Sequence, residues 1–229
     1  ARRYLAECGL PRERTYVTGS PMAEVLHENL AAIEASDVHQ RLGLEKGRYI
    51  LLSAHREENI DTEKNFLSLF NAINQMAEKY NMPILYSCHP RSRKRLDASK
   101  FELDKRVVLH EPLVFHDYYC LQMHAFAIVS DSGTLLEEAS FYTSIGHPFP
   151  AVCIRTSTER PEAIDKGLFV IAGIDEKSLL QAVETAVSLN EDGNHGITVP
   201  DYIDRNVSTK VIKIIQSYVN IVNNFVWRK

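Results

Sequence analysis

Short runs of apolar residues recur between residues 49 and 171, and polar residues do not alternate within them. A run of four or five apolar residues without alternation is typical of a β-strand that is buried on both faces. Six strands are predicted in this way, at residues 49–53, 83–87, 107–109, 127–130, 151–154 and 168–171. A further short β run is predicted at Thr15–Thr18, ahead of this series.

The segments between these runs carry apolar residues at helical spacing. In the segment that begins at Asp61, Phe66, Phe70 and Ile73 fall on one face of a helix. Strands that alternate with helices indicate an α/β fold with a doubly wound parallel sheet, a Rossmann-like domain. Ligands of such folds bind beyond the carboxyl ends of the strands. Helices are predicted at residues 1–8, 21–35, 37–43, 61–80, 91–98, 116–124, 133–140, 176–189 and 208–227.

Composition narrows the class of protein. The chain has 229 residues and a formal net charge of −4, so it has no bulk attraction for nucleic acid or for an anionic membrane. No apolar run approaches the ~20 residues that span a bilayer, and the first residues do not resemble a signal peptide. Four widely spaced cysteines predict reduced core thiols. We expect a cytoplasmic protein without metal or cofactor.

Polar residues follow the first two predicted strands. His55 lies after the first, where an imidazole can donate to a phosphate or act as an acid or base near neutral pH. His89 and Arg91 lie after the second and begin a basic segment that can bind an anion. A charged surface loop and a solvated basic helix face account for the same residues, so both interpretations stay open.

A run of small residues follows the fourth strand, at residues 130–134. Ser132 and Gly133 there precede a predicted helix, whose amino end can hold a phosphate through backbone N–H groups and the helix dipole. The carboxylate of Glu137 or Glu138 can then accept hydrogen bonds from the two hydroxyls of a ribose. The alternative is an ordinary helix cap, with Ser132 as the capping residue and Glu137 balancing the dipole.

Arg160 and Pro161 follow the fifth strand. Proline suits a helix start, and Arg160 before it can reach a diphosphate. An exposed salt bridge between Arg160 and Glu162 is the alternative. Tyr118 and Phe115 can stack on a base, although aromatic residues at this spacing also suit a core. Together, the segments after the strands predict a nucleotide or nucleotide-sugar site.

Several sequence strings at these positions resemble the non-hydrolysing UDP-N-acetylglucosamine 2-epimerase family. The strings are residues 18–21, 54–59, 130–133 with 137–138, and 158–162. One branch of this family is similar to the chain at further positions, which are residues 89–91, 115–118 and 121–125 and the Val226-Trp227 ending. That branch makes UDP-N-acetyl-L-fucosamine by inverting C2 of a 6-deoxy-L-sugar nucleotide for capsule or O-antigen synthesis.

The resemblance implies a role for each matching residue. His55 would contact the diphosphate and assist catalysis, and Glu138 would hold the ribose. The remaining implied UDP contacts are Ser132, Gly133 and Thr134 in the phosphate turn, Arg160 near the phosphates and Tyr118 on the uracil. The sequence departs from the family in three ways. Thr134 replaces a second glycine, and Glu57 replaces an arginine. The stretch 142–150 is longer than usual, and it either reshapes a loop near the cleft or bulges into solvent.

The family has a glycosyltransferase-B-like two-domain architecture, and this chain resembles only its C-terminal part. Residues 1–14 would end the missing N-terminal domain or linker, residues 15–205 would form the UDP-binding Rossmann-like domain, and residues 206–229 would be a helix that packs back toward the N-terminal domain. The absent domain would be the partner that supplies the carboxylates for proton transfer. Family members are commonly homodimers, which makes a homodimer an allowed assembly.

Three functions stay open at this point. The resemblance implies a UDP-N-acetylhexosamine 2-epimerase, acting on UDP-GlcNAc or UDP-ManNAc or on a 6-deoxy-L relative. A glycosyltransferase of the same architecture would also use a UDP-sugar. A UDP-binding half without activity of its own is the third, and for the isolated chain we expect inactivity.

Overall fold

A computed structural model describes residues 2–155 and 160–229. Its six strands form one sheet in the order β3-β2-β1-β4-β5-β6, and every neighbouring pair is parallel. The chain therefore winds outward from β1 in both directions, which confirms the α/β doubly wound sheet. The strands are β1 (Ile50–Ser53), β2 (Ile84–Ser87), β3 (Val107–His110), β4 (Ala127–Ser130), β5 (Ala151–Ile154) and β6 (Val170–Ala172).

Helices cover both faces of this sheet. Alternate strand residues point to opposite sides, so Leu51 packs in one core cluster while Ile50 and Leu52 pack in the other. The helices are α1 (Arg2–Glu7), α2 (Met22–Glu34), α3 (Val38–Leu42), α4 (Glu57–Ile60), α5 (Glu63–Tyr80), α6 (Pro90–Ser99), α7 (Phe115–Met123), α8 (Leu135–Ser144), α9 (Pro161–Ile164), α10 (Glu176–Glu191) and α11 (Val207–Val222). Helices α5 and α10 cover one face, and α2, α7 and α8 cover the other.

Local sequence signals account for several helix ends. The Thr62 side chain accepts a hydrogen bond from Asn65 N at the start of α5, and Asp175 does the same for Ser178 N at the start of α10. Gly43 ends α3 in the left-handed conformation with φ of 64°. These caps set where each helix leaves the sheet, and so which residues remain in the strand-end loops.

The predicted strand at Thr15–Thr18 is wrong. The segment is extended but pairs with no strand of the described sheet, whose edges are β3 and β6. It lies against α11 instead, where the Tyr218 hydroxyl donates to Glu13 O at 2.8 Å and contacts the Tyr16 hydroxyl. Without a neighbouring strand, its β-forming residues have no ladder to join.

Other differences are smaller. Helix α4 was not expected between β1 and α5, and α8 begins two residues later than the small-residue run suggests. Cys8 is exposed and is therefore not a core thiol, whereas Cys88, Cys120 and Cys153 are buried, as predicted. In the part of the chain that the structure describes, no helix is long and apolar enough to cross a bilayer.

Helix α11 leaves most of its apolar side chains in solvent. Val207 is buried, but Ile212, Ile215 and Val219 are 60%, 54% and 47% exposed. The start of the helix is nevertheless anchored, because Ser208 N donates to Glu24 Oε2 at 2.9 Å and Lys210 pairs with the Asp204 carboxylate. The described residues of this domain thus leave the apolar side chains of α11 largely uncovered.

Three histidines meet at the amino edge of the sheet. The ring of His124 lies 5.4 Å from that of His39 and 6.1 Å from that of His147. Lys46 Nζ lies 3.1 Å from His124 Nε2. His147 belongs to the long stretch 142–150, which precedes β5 and so lies at the opposite edge from the strand-end loops. This position favours the view that the stretch does not shape the predicted site.

We predict that Gly19→Ala destabilises the fold more than Gly43→Ala. Both glycines have positive φ, 84° and 64°, so alanine is strained at each by about 1 kcal/mol. A Cβ on Gly19 would also lie 2.8 Å from Asp204 Oδ2, whereas Gly43 has open space. Urea unfolding measures the difference. Equal losses would contradict the close packing assigned to Gly19.

We predict that stability falls as the pH drops from about 6.5 to about 4 and that His124→Asn reduces this fall. Burial, and then the charges of Lys46, His39 and His147, lower the pKa of His124 to about 4. In that window the unfolded chain binds a proton at this position and the folded chain does not, so acid favours unfolding. Urea unfolding at about pH 7 and about pH 5 tests this. An unchanged pH dependence in His124→Asn would contradict it.

Candidate functional site

The candidate site is organised around Asp131, which directly follows β4. Its side chain is fully buried. Oδ2 accepts hydrogen bonds from His55 N and Arg56 N, each at 2.9 Å, and from Asn59 Nδ2 at 3.1 Å. Asp131 N in turn donates to Ser53 O at 3.1 Å. A buried carboxylate is stable when hydrogen bonds of this kind replace water, so Asp131 fixes the loop after β1 against the end of β4.

Asn59 extends this arrangement to a third strand. It is fully buried, and its Nδ2 also donates to Ile154 O, at 3.0 Å, at the end of β5. Three neighbouring strand ends are thereby held together through one amide and one carboxylate. Asn59 lies in α4, so this short helix carries the amide to the strand ends.

Two basic side chains project toward solvent from the hub that Asp131 and Asn59 form. His55 Nδ1 lies 3.1 Å from Asp131 Oδ1, and the His55 side chain is 46% exposed. Arg56 Nε donates to Asp131 O at 2.9 Å. A Cβ built on Gly133 would lie 3.8 Å from Arg56 Nη2, so the guanidinium lies beside the small-residue turn. The structure thus places Arg56 beside Gly133 and His55 beside Asp131, at the carboxyl ends of neighbouring strands.

Asp131 and Arg56 were not selected from the sequence as site residues. The sequence shows only that Asp131 is an acid directly after an apolar strand, and the pairing of that strand with β1 is visible only in the structure. Arg56 was hidden among several charged residues, and only its contact with Asp131 O distinguishes it from a surface arginine.

The turn at Ser130–Thr134 is held by its own hydroxyls. Ser132 N donates to Ser130 Oγ at 3.0 Å, and the Ser132 and Thr134 hydroxyls are 2.9 Å apart. Helix α8 begins at Leu135 with Thr134 at its cap, so the amino end of a ten-residue helix faces this turn. Ser132, Gly133 and Thr134 are therefore placed where an anion is favoured.

Arg160 is held by Glu137 at the same edge. Its Nη1 donates to Glu137 Oε1, and the Ser20 hydroxyl donates to Glu137 Oε2 at 2.7 Å. The guanidinium also lies 5.9 Å from the Tyr202 ring. The expected partner Glu162 accepts a hydrogen bond from Tyr202 OH at 2.5 Å. Thr158 and Glu159, which belong to the same sequence string, lie outside the described residues.

Glu138 points into the domain. It is 2% exposed and accepts hydrogen bonds from Thr134 Oγ1 at 2.7 Å, Gln122 Nε2 at 2.6 Å and Tyr119 OH at 3.2 Å. Burial raises the pKa of Glu138, and the three hydrogen bonds oppose this effect. Glu138 is therefore a held carboxylate with most of its acceptor capacity already used.

Tyr118 lies beneath the strand ends, half-buried in α7. Burial and the Glu138 charge raise the pKa of its hydroxyl, while the nearby Ser53 and Ser130 hydroxyls lower it. Phe115, at the start of α7, is 38% exposed and its ring lies 4.7 Å from that of Tyr119. Both aromatic side chains are within the strand-end region, with Phe115 nearer to solvent.

The basic segment after β2 is turned toward acids of the β1 loop. Arg91 donates to Glu57 Oε1 at 2.6 Å and to both Asp61 oxygens at 2.7 and 2.8 Å. His89 caps α6 by accepting from Arg91 N at 3.3 Å. Glu57 stands where the family pattern has an arginine. The neighbouring Arg91 pairs with Glu57 and so places a cation beside this position. Within residues 2–155 and 160–229, no group of three or more His, Cys, Asp or Glu side chains forms a metal site.

The chain resembles known proteins over nearly all its length. The family model described as UDP-N-acetylglucosamine 2-epimerase matches residues 1–216. A UDP-N-acetylglucosamine 2-epimerase from Methanococcus maripaludis is 30% identical over 202 residues, which are 82% of this chain and 54% of that protein.

Solved structures agree with this match. The structure of UDP-N-acetylglucosamine 2-epimerase from Rickettsia bellii superposes with a TM-score of 0.87 at 39% identity, covering all of this chain and 60% of the other. The Methanocaldococcus jannaschii UDP-GlcNAc 2-epimerase in complex with UDP-GlcNAc and UDP gives 0.81 at 25% identity, covering 94% of this chain and 58% of that one. The chain thus spans between half and two thirds of each of these relatives.

We predict that Asn59→Ala lowers the free energy of unfolding by about 3 kcal/mol, because it removes a hydrogen bond to a buried carboxylate and another to a buried carbonyl. Asn74→Ala is the matched control. Asn74 also makes two hydrogen bonds, to Glu102 O and from Asp104 N, but near the surface. We expect the control to cost about 1 kcal/mol or less in urea unfolding. Equal losses of unfolding free energy in the two variants would contradict a larger contribution from the buried hub.

Proposed function

Since the chain belongs to the UDP-N-acetylglucosamine 2-epimerase family, we propose that it is the UDP-binding part of a UDP-N-acetylhexosamine 2-epimerase. The observation that carries this proposal is the meeting of His55, Arg56 and the Ser132-Gly133 turn around the buried Asp131. Donors and cations gather there at the carboxyl ends of parallel strands, where this architecture binds ligands.

The proposed reaction inverts the configuration at C2 of the sugar. A base removes the proton from C2, and the C1–O bond breaks so that UDP leaves with the electron pair, which gives a 2-acetamidoglycal. UDP then adds back to C1, and a proton is delivered to C2 from the other face. The reaction needs carboxylates for the protons and firm binding of a diphosphate whose charge grows as it leaves.

Binding of the leaving diphosphate is the requirement that the residues of this chain can meet. His55 and Arg56 project from the hub, the amino end of α8 faces the Ser132-Gly133 turn, and Arg160 lies beside Glu137. We assign these groups to the diphosphate, which would accept their hydrogen bonds as its negative charge develops. Glu137 holds Arg160 before the ligand arrives, so less side-chain entropy is lost on binding.

The nucleoside would occupy the region of α7 and α8. We assign Tyr118 to the uracil ring and Glu138 to the ribose, with Thr134 between the ribose and the phosphates. Because Glu138 already accepts from Thr134, Gln122 and Tyr119, these three donors would keep its side chain fixed. A ribose hydroxyl would use its remaining acceptor capacity or displace the Thr134 hydroxyl.

The sugar itself is assigned from the branch resemblance. Residues 89–91, 115–118 and 121–125 favour a 6-deoxy-L-N-acetylhexosamine over UDP-GlcNAc, and a role in capsule or O-antigen synthesis in the cytoplasm.

The N-terminal domain of the same enzyme would complete the site. The chain spans 60% or less of the relatives compared above, and α11 presents Ile212 and Ile215 uncovered. We assign this apolar face to contact with that domain, which would supply the proton-transfer carboxylates and the surface of a homodimer. The isolated chain would then bind UDP without turnover.

We predict that the chain binds UDP in a calorimetric titration and that His55→Ala and Arg160→Ala each weaken binding tenfold or more, as expected for loss of a charged hydrogen bond. His147→Ala, at the opposite edge of the sheet, is the control and should bind like the unsubstituted chain. Binding that tolerates both site substitutions, or that the control abolishes, would contradict this site. Release of UDP with transfer of the sugar to an acceptor by the complete enzyme would favour a glycosyltransferase.

A further inference from the structure

We propose that Thr134 is a specificity-determining residue that limits Glu138 to a single hydroxyl of the ribose. The Thr134 hydroxyl donates a hydrogen bond to Glu138 Oε1 at 2.7 Å, so a side chain of the domain itself occupies a position that a ribose hydroxyl needs. The inference rests on the proposed function, because it concerns the nucleoside that Glu138 is assigned to hold. It adds which part of that nucleoside the site can distinguish.

Three hydrogen bonds surround the carboxyl group of Glu138. Oε1 accepts from the Thr134 hydroxyl at 2.7 Å and from Tyr119 OH at 3.2 Å, and Oε2 accepts from Gln122 Nε2 at 2.6 Å. A carboxyl group has about four hydrogen-bonding positions, two on each oxygen, and protonation turns one of them from an acceptor into a donor. Among the residues that the structure describes, the partners of Glu138 therefore fill both positions on Oε1 and one on Oε2.

The two neighbouring hydroxyls of a ribose use a carboxylate fully only when each donates to a different oxygen. With both positions on Oε1 filled, the second hydroxyl finds no acceptor there. A ribose hydroxyl that displaces Thr134 gains one hydrogen bond and breaks another, so its net contribution to affinity is small. Glu138 can thus hold the ribose firmly through one hydroxyl, on Oε2, while the other hydroxyl adds little.

The start of α8 fixes the position of the Thr134 hydroxyl. Thr134 is the cap residue of this helix, and its carbonyl accepts hydrogen bonds from Glu137 N and Glu138 N, each at 3.0 Å. Residues four apart lie on the same helix face, which places the Thr134 side chain beside that of Glu138. The Ser132 hydroxyl holds Thr134 from the other side, 2.9 Å from its hydroxyl and 3.3 Å from its backbone N. Branching at Cβ further restricts the rotamers of threonine.

The test compares UDP with 2′-deoxy-UDP and 3′-deoxy-UDP, each of which lacks one ribose hydroxyl. In the unsubstituted chain, we expect at most one of these analogues to bind about tenfold more weakly than UDP, and the other to bind within about threefold of it. Calorimetric titration gives the three dissociation constants. Tenfold losses of affinity with both analogues would overturn the proposal.

Thr134→Ala and Thr134→Ser form a matched pair of variants that differ by one hydroxyl. Alanine frees a position on Oε1, so we expect both analogues to bind about tenfold more weakly than UDP. Serine keeps a hydroxyl that can reach Glu138, so we expect the pattern of the unsubstituted chain to return. Each ratio compares two ligands on one folded variant, so a general loosening of α8 cancels. A Thr134→Ala variant with the pattern of the unsubstituted chain also overturns the proposal.

UDP itself separates this inference from the proposed function. If the folded chain and both folded variants bind no UDP, the proposed function fails for this chain and the inference fails with it. If they bind UDP but the ratios for the two analogues do not depend on the hydroxyl of Thr134, the inference alone fails and the UDP site stands.

Discussion

A buried carboxylate at the end of β4 holds together the loops that make the candidate site. Asp131 accepts hydrogen bonds from the β1 loop, and Asn59 carries the connection to the end of β5. An ionised group can stay buried only if donors replace its water, so the loops must adopt the one arrangement that supplies them. The positions of His55 and Arg56 follow from that requirement, because their backbone N–H groups are two of the donors.

The arginine side chains near the site are paired with acids of the same domain. Arg160 contacts Glu137, and Arg91 contacts Glu57. An exposed pair such as that of Arg91 and Glu57 adds little to stability. The effect of both pairs is to hold long side chains in place, so that an incoming diphosphate meets oriented donors. Glu138, by contrast, is buried and enclosed by donors of its own domain.

Much of the fold was predictable, because unalternating apolar runs such as residues 127–130 have few alternatives to a strand buried on both faces. The error at Thr15–Thr18 shows the limit, since β-forming residues make a strand only where a neighbouring strand offers a ladder. At the site, His55 and the Ser132-Gly133 turn could be selected as strand-end residues. Asp131 could not, because its role depends on which strands are neighbours, and strand order is a tertiary property.

We propose above that the strand-end loops that Asp131 holds together bind the diphosphate of UDP. Hydrogen exchange of the chain with and without UDP tests this most directly, because it reports on backbone N–H groups segment by segment. We expect slower exchange in residues 53–59 and 130–138 on adding UDP, and unchanged exchange near His124 and His147 at the opposite edge. Protection confined to that opposite edge, or none in either strand-end segment, would contradict it.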